Sequence, residues 1–197
     1  MSKRDDILVA AEALFDANGF HAVGVDAVIA KAGVSPRTLY RHFASKTALV
    51  EAVLVSRDER FWAFYSKMAT AHQASHGDPV LAAVDAIGDW LTGETAQGCL
   101  FLKAIGEFGE AAPAITERAR AHKEKLLADL CVRAAAHERM SAANSDGNAA
   151  AQTLGRQLFL LVEGAIAEAR LFGANEATDY ARAAAWALVQ QPVIAPA

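Results

Sequence analysis

Apolar residues recur along this chain at intervals of three and four and almost nowhere alternate. That period marks one face of an α-helix, whereas a half-buried strand shows a period of two. Ile7, Ala11, Leu14 and Phe15 line one face of a first helix, which Asn18-Gly19 should stop, because glycine accepts the left-handed backbone just past a helix end. A short second helix is expected from about Val25 to Lys31, after which Gly33 turns the chain. Ser35 is a good N-cap, Pro36 suits the first helical position, and Val34 and Leu39 have the spacing of a hydrophobic staple. A third helix therefore starts at Pro36 and carries Arg37, Thr38, Tyr40, Arg41 and His42. Ala44-Ser45 interrupts it, and Ser45 can cap a long fourth helix from Lys46 towards His72.

The same punctuation continues. Gly77-Asp78-Pro79 opens a fifth helix to about Thr92, and Gly93 to Gly98 form a turn before a sixth that runs to about Gly109. Pro113 starts a seventh, on which Ile115, Ala119, His122, Leu126 and Leu130 keep helical spacing. Ser141 to Asn148 is the most loop-like stretch. Two last helices, about Ala149 to Phe172 and Glu176 to Gln191, precede a proline-containing tail. The pattern predicts an all-α protein of about nine helices without internal repeats.

Composition narrows the class. The chain has 197 residues, 53% of them hydrophobic and 46 of them alanine, which is enough to bury a core and excludes a disordered chain. No apolar run approaches the roughly 18 residues a membrane span needs, and the first residues contain no signal-peptide core, so a cytoplasmic protein is expected. Cys99 and Cys131 stand far apart inside expected helices and read as buried small hydrophobes rather than a disulfide.

The net charge of −4 argues at first against a nucleic-acid partner. Its distribution argues otherwise. From Lys31 to Val50 there are four bases (Lys31, Arg37, Arg41, Lys46) and no acid, and the acidic balance lies after residue 50, where 13 bases meet 18 acids. A helix, a glycine turn and a basic, serine-capped helix make a helix-turn-helix pattern, whose second helix enters a major groove. The helix starts at Gly24, Ser35-Pro36 and Lys46 add backbone N–H groups for phosphates.

These residues carry a family resemblance. AEALFDANGF followed by VDAVIAKAGVSPRTLYRHFASKTALVEAV, within Ile7 to Val53, resembles the DNA-binding domain of TetR-family transcriptional regulators. The carrying string is Ala32 to Ser35, Leu39 to Phe43, Ser45, Lys46 and Leu49, and GCLFLKAIGEF is similar to the sixth helix of many members. One departure stands before the second helix, where the family usually has Ser or Thr and this chain has Val23-Gly24, with no hydroxyl for a phosphate.

The resemblance implies a homodimeric repressor that presents one helix-turn-helix to each half of a palindromic operator. Residues 1–50 would form that head, and 51–197 a helical effector-binding and dimerisation domain. Tyr40 and His42 resemble family positions that bond phosphates, and Lys46 adds charge beside them. Arg37 and Thr38 are expected to read bases, since arginine bonds guanine bidentately and a threonine methyl meets a thymine methyl. Arg41 suits either a base or a phosphate. Leu39 and Phe43, four apart, are expected in the core.

The remainder is less specific. Phe61, Trp62, Phe64, Tyr65, Trp90, Phe101 and Phe108 either line a pocket for an apolar or aromatic effector or form core. Leu154, Leu158, Leu161, Ala165 and Phe172, with Gly155 and Gly164 allowing close approach, suggest one half of a dimer interface; Ala181, Ala184 and Leu188 suggest the other. Intramolecular core is the alternative for both helices. His72 and His76 could share a helix face as metal ligands, but no third ligand is evident and solvated surface is the expectation. No Gly-rich phosphate loop, nucleophile elbow or HExxH occurs, so no catalytic residue, metal or cofactor is expected and an all-α enzyme is a weak second class. An activator or corepressor-dependent regulator has the same sequence features as a repressor.

Overall fold

A computed structural model describes residues 2–93, 98–137 and 147–190. Among these residues there are nine α-helices, one 3-10 turn and no strand, in agreement with the all-α expectation. The helices are α1 (Lys3–Asn18), α2 (Val25–Ala32), α3 (Pro36–His42), α4 (Lys46–His76), α5 (Pro79–Gly93), α6 (Leu100–Phe108), α7 (Pro113–Ala136), α8 (Gly147–Phe172) and α9 (Ala174–Gln190). Most of the expected turn at Gly93 to Gly98, most of the expected loop at Ser141 to Asn148, and the tail after Gln190 lie outside the described residues. No described helix is long and apolar enough to cross a membrane.

Local capping explains the boundaries. At the start of α1, Ser2 Oγ accepts the Asp5 N–H at 3.2 Å and Asp5 Oδ2 accepts the Ser2 N–H at 2.9 Å, a reciprocal pair that satisfies two otherwise orphaned donors. Between α4 and α5 the chain reverses at Gly77, whose φ of 82° is left-handed. Asp78 Oδ1 then accepts the N–H groups of Val80 and Leu81 at 2.8 and 3.0 Å.

The helices gather into two compact units, Met1–Arg60 with Cys99–His122 and Phe61–Gly98 with Lys123–Ala197. The first unit thus extends beyond the three helices expected from residues 1–50. Its core joins Ile7, Phe15, Phe20, Leu39, Phe43, Leu49 and Leu54 with Leu100, Phe101, Ala104, Ile115 and Ala119, so α6 and the start of α7 bury their apolar faces among the N-terminal helices. Glu12 on α1 accepts from Arg57 Nη1 on α4 at 2.8 Å, and from Arg60 as well.

The second unit has a separate core built on Tyr65, Val84, Ile87, Leu126, Leu130, Leu154, Leu158, Val162, Ala181 and Ala185. At Gly155 the helices α7 and α8 approach closely, and a Cβ there would stand 2.5 Å from Cys131 Sγ and 2.7 Å from Cys131 Cα. Backbone cannot swing aside as a side-chain end can. Gly155→Ala is therefore expected to destabilise this unit by about 1–3 kcal/mol through overpacking. A lowered urea midpoint checks this; an unchanged midpoint would mean that α7 and α8 separate freely. Cys131 is buried there as a small hydrophobe, and burial pushes its thiol pKa up. Cys99 is half-buried and caps α6, its sulfur accepting the Leu102 N–H at 3.5 Å.

Candidate nucleic-acid interface

The helix-turn-helix forms because three local signals agree. Gly33 adopts φ 61°, ψ 40° and closes α2, its N–H bonding back to Ala30 and Ile29. Ser35 Oγ accepts the Thr38 N–H at 3.1 Å, and Pro36 fills the first turn of α3 where its missing donor has no cost. Ser45 repeats the cap for α4, accepting the Ala48 N–H at 3.1 Å.

Tertiary packing then decides which side of α3 faces water. Leu39 is fully buried and Phe43 nearly so, which leaves Ser35, Pro36, Arg37, Tyr40, Arg41 and His42 exposed. Thr38 is half-buried and its hydroxyl is engaged by Ser35 Oγ at 2.9 Å, so the methyl is what it can offer a base. Gly24 is exposed and caps α2 without a side-chain hydrogen bond. Lys46 is half-buried, and its ammonium donates to the His21 carbonyl at 3.3 Å. It is therefore anchored at the edge of the surface rather than extended from it.

Residues beyond the basic cluster support this surface. Arg4 on α1 holds its guanidinium 5.5 Å from the Phe43 ring centroid, a fifth cation near α3. From α6, Glu107 accepts the N–H groups of Phe20 and His21 at 2.9 and 2.7 Å and meets His21 Nδ1 at 3.0 Å. Burial raises the Glu107 pKa, but those backbone donors and the His21 ring outweigh it and hold the carboxyl below its ordinary value. One turn earlier, Lys103 donates to the Asp16 carbonyl. Gly19, at φ 85°, leaves room for this clamp, since a Cβ there would lie 2.7 Å from Glu107 Oε1. The i, i+4 pair Lys103 and Glu107 is visible in sequence, but its partners 87 and 86 residues away are not.

Residues 7–53 match the family described as "Bacterial regulatory proteins, tetR family", and residues 78–185 match "Tetracyclin repressor-like, C-terminal domain". The second match alone covers more than half the chain. The chain belongs to the TetR family of transcriptional regulators.

Among relatives, the HTH-type transcriptional regulator UidR of Escherichia coli is 44% identical over 57 residues, which are 29% of either chain. The HTH-type transcriptional activator FasR of Mycolicibacterium smegmatis is 46% identical over 52 residues, 26% of this chain and 24% of FasR. This chain thus matches well under a third of the length of each. A solved TetR-family regulator from Streptomyces coelicolor superposes with a TM-score of 0.80 at 29% identity, over 98% of this chain and 96% of that one.

In this TetR-family chain the aromatic residues expected at a pocket are shared between the two units. Phe61, Trp62, Tyr65 and Trp90 belong to the second unit, where Phe61 stacks on Tyr65 at 5.5 Å and meets Trp62 and Trp90 edge-on at 5.3 and 5.4 Å. Phe101 and Phe108 belong to the first. Phe101 stacks on His122 at 3.8 Å, while Phe108 packs against Phe20 and His21. The reason is that α6 completes the N-terminal core. Polar groups border the remaining cluster: Tyr65 donates to Asp129, which also accepts from Arg133 Nε at 2.6 Å, and Lys125 Nζ lies 4.1 Å from the Trp62 ring centroid. Burial, followed by the Asp129 charge, pushes the Tyr65 pKa up and keeps its proton on.

The expected dimer residues divide in a similar way. Leu154 and Leu158 are fully buried in their own unit's core, while Ala165 and Ala181 pack in that core and also line an open groove with Leu161 and Ala184. Leu161, Ala184 and Leu188 are half-buried, and Phe172 is exposed. Leu160, Leu171, Tyr180 and Trp186, which the spacing did not single out, are exposed large apolar residues on α8 and α9. The sequence period identified an apolar stripe but could not say which edge of it faces inward.

Proposed function

We propose that this TetR-family regulator acts in the cytoplasm as a homodimer on a palindromic operator, with α3 in the major groove, and that it is a repressor released by a small apolar or aromatic effector. The observation that carries this reading is the outward face of α3, where Arg37, Tyr40, Arg41 and His42 stand exposed on a helix anchored by Leu39 and Phe43. Arg37 and Thr38 read bases; Tyr40, His42 and Lys46 hold phosphates, with the backbone N–H groups of the helix starts at Gly24 and at Ser35-Pro36; Arg41 serves either. The second copy docks along α8 and α9, where Leu160, Leu161, Gly164, Tyr180 and Ala184 line an open groove.

Phe61, Trp62, Tyr65 and Trp90 receive the effector, with Asp129, Arg133 and Lys125 supplying the few polar contacts. The effector acts by favouring a conformation in which the two heads depart from the about 34–36 Å that successive major grooves require, with α4 as the lever. An effector with equal affinity for both states would release nothing. FasR, by its name an activator, is 46% identical to this chain over 52 residues, so activation is the second reading. The reading is of a regulator rather than an enzyme.

Binding-site selection with the purified protein is expected to return a palindrome. Light scattering should give a dimer at micromolar concentration, and log K should fall with log salt by about 0.9 for each phosphate neutralised. A monomer, or DNA affinity indifferent to salt, would overturn the reading.

A further inference from the structure

Two pairs of side chains face one another across the α4–α5 hairpin of the second unit. His72 and His76 stand one helical turn apart on α4, and Asp85 and Asp89 stand one turn apart on α5. Because the hairpin reverses at Gly77-Asp78, the order is mirrored: His72 Nε2 meets Asp89 Oδ2 at 2.7 Å, and His76 Nε2 meets Asp85 Oδ2 at 3.1 Å. The imidazole rings lie nearly parallel, 6.2 Å apart. The pairs also converge, since one donor atom from each of His72, His76 and Asp85 lies within 4.8 Å of the other two.

Asp85 is itself oriented. Its Oδ1 accepts from Arg182 Nε on α9 at 2.7 Å, which turns Oδ2 towards the histidines, and its side chain is only 12% exposed. An outer-shell donor that fixes a carboxylate in this way is what metal sites use to hold a ligand in register. The third ligand that the sequence withheld is thus supplied by α5.

We propose that His72, His76 and Asp85 bind a divalent transition-metal cation of the zinc type, with Arg182 as the positioning residue for Asp85. Asp89 is within reach of the fourth position, which water takes otherwise. Two imidazole nitrogens and one carboxylate suit zinc, nickel, cobalt or copper better than calcium or magnesium, which take oxygen ligands. At metal–ligand distances of about 2.1 Å, tetrahedral donors lie about 3.4 Å apart, so side-chain rotation of about an ångström closes the set. The bound cation would replace two separate His–Asp contacts by one clamp between α4 and α5, tied through Arg182 to α9. The site stands independently of the DNA-binding reading.

The test uses tag-free, chelator-treated protein titrated with Co²⁺, followed by its visible ligand-field bands, and with Zn²⁺, followed by calorimetry. One metal per chain is expected, with tetrahedral cobalt bands. H72A/H76A should lower affinity by at least about 100-fold, and the isosteric Asp85→Asn and the positioning variant Arg182→Ala by at least about tenfold each. Circular dichroism of each variant separates metal loss from unfolding, and Asp85→Asn carries the test if the double variant loses helix. Absence of cobalt bands in the wild-type protein would overturn the proposal. So would unchanged stoichiometry and affinity in a folded H72A/H76A or Asp85→Asn variant.

Discussion

Alanine in place of Arg37 is expected to change which operator sequences the protein prefers, not merely how tightly it binds. Arg37 is the second residue of α3 and is exposed, on a helix whose pose is fixed by the Ser35 cap and by burial of Leu39 and Phe43. The first turn of a recognition helix is where side chains meet base edges. A guanidinium there can bond both acceptors of a guanine, and each such contact discriminates by about 1–3 kcal/mol, roughly 5–150-fold in affinity for the preferred site. Lys46→Ala provides the contrast. Its ammonium is held against the His21 carbonyl at the margin of the surface, where charge acts on phosphates of any sequence. It should weaken all operators alike and lower the salt slope by about 1. Site selection on both variants is the measurement; the same preferred sequence for wild type and Arg37→Ala would remove Arg37 from base reading.

The largest loss of stability is expected from Glu12→Ala. Glu12 and Arg57 have side chains only 12% and 8% exposed, with a 2.8 Å hydrogen bond between α1 and α4, and Arg60 meets the same carboxylate. Two long cations are drawn to one sheltered carboxylate, and water can reach neither Glu12 nor Arg57 freely. Breaking a buried pair from one side costs about 3–5 kcal/mol, and the partial exposure of Arg60 places this case near the lower end, about 3 kcal/mol. Glu12→Gln keeps an acceptor and should cost less. Urea denaturation reads both. A loss under about 1 kcal/mol for Glu12→Ala would mean that the pair behaves as an exposed one.

The head was readable because its signals are local. Ser35, Pro36 and Gly33 each act on backbone within four residues, and the Leu39–Phe43 spacing needs only helical geometry. The rest of the first unit was not, since α6 reaches α1 across 87 residues, from Lys103 to Asp16, and no local pattern records that Leu100, Phe101 and Ala104 share a core with Ile7 and Phe15. The aromatic residues from Phe61 to Phe108 are therefore divided between the two units. The same limit hid the His72–Asp89 and His76–Asp85 pairs. An i, i+4 histidine pair is visible by inspection, while its acid partners depend on a helix reversing at Gly77 and returning in mirrored register.

Sequence alone settles the helical period, the caps, the basic residues carried by α3 and, through them, the family. All of these rest on interactions that span a few residues, so their physics is written in consecutive letters. Tertiary structure decides the direction in which each amphipathic stripe points. On α8 and α9 it turns Leu154, Leu158 and Ala181 inward and leaves Leu160, Tyr180 and Trp186 in water. It also decides which charged groups meet: Glu12 with Arg57, Glu107 with His21, and Asp85 with both His76 and Arg182. The reason is common to all of them. Burial and ion pairing depend on distance in space, and the chain brings distant residues together only once every helix has found its neighbour.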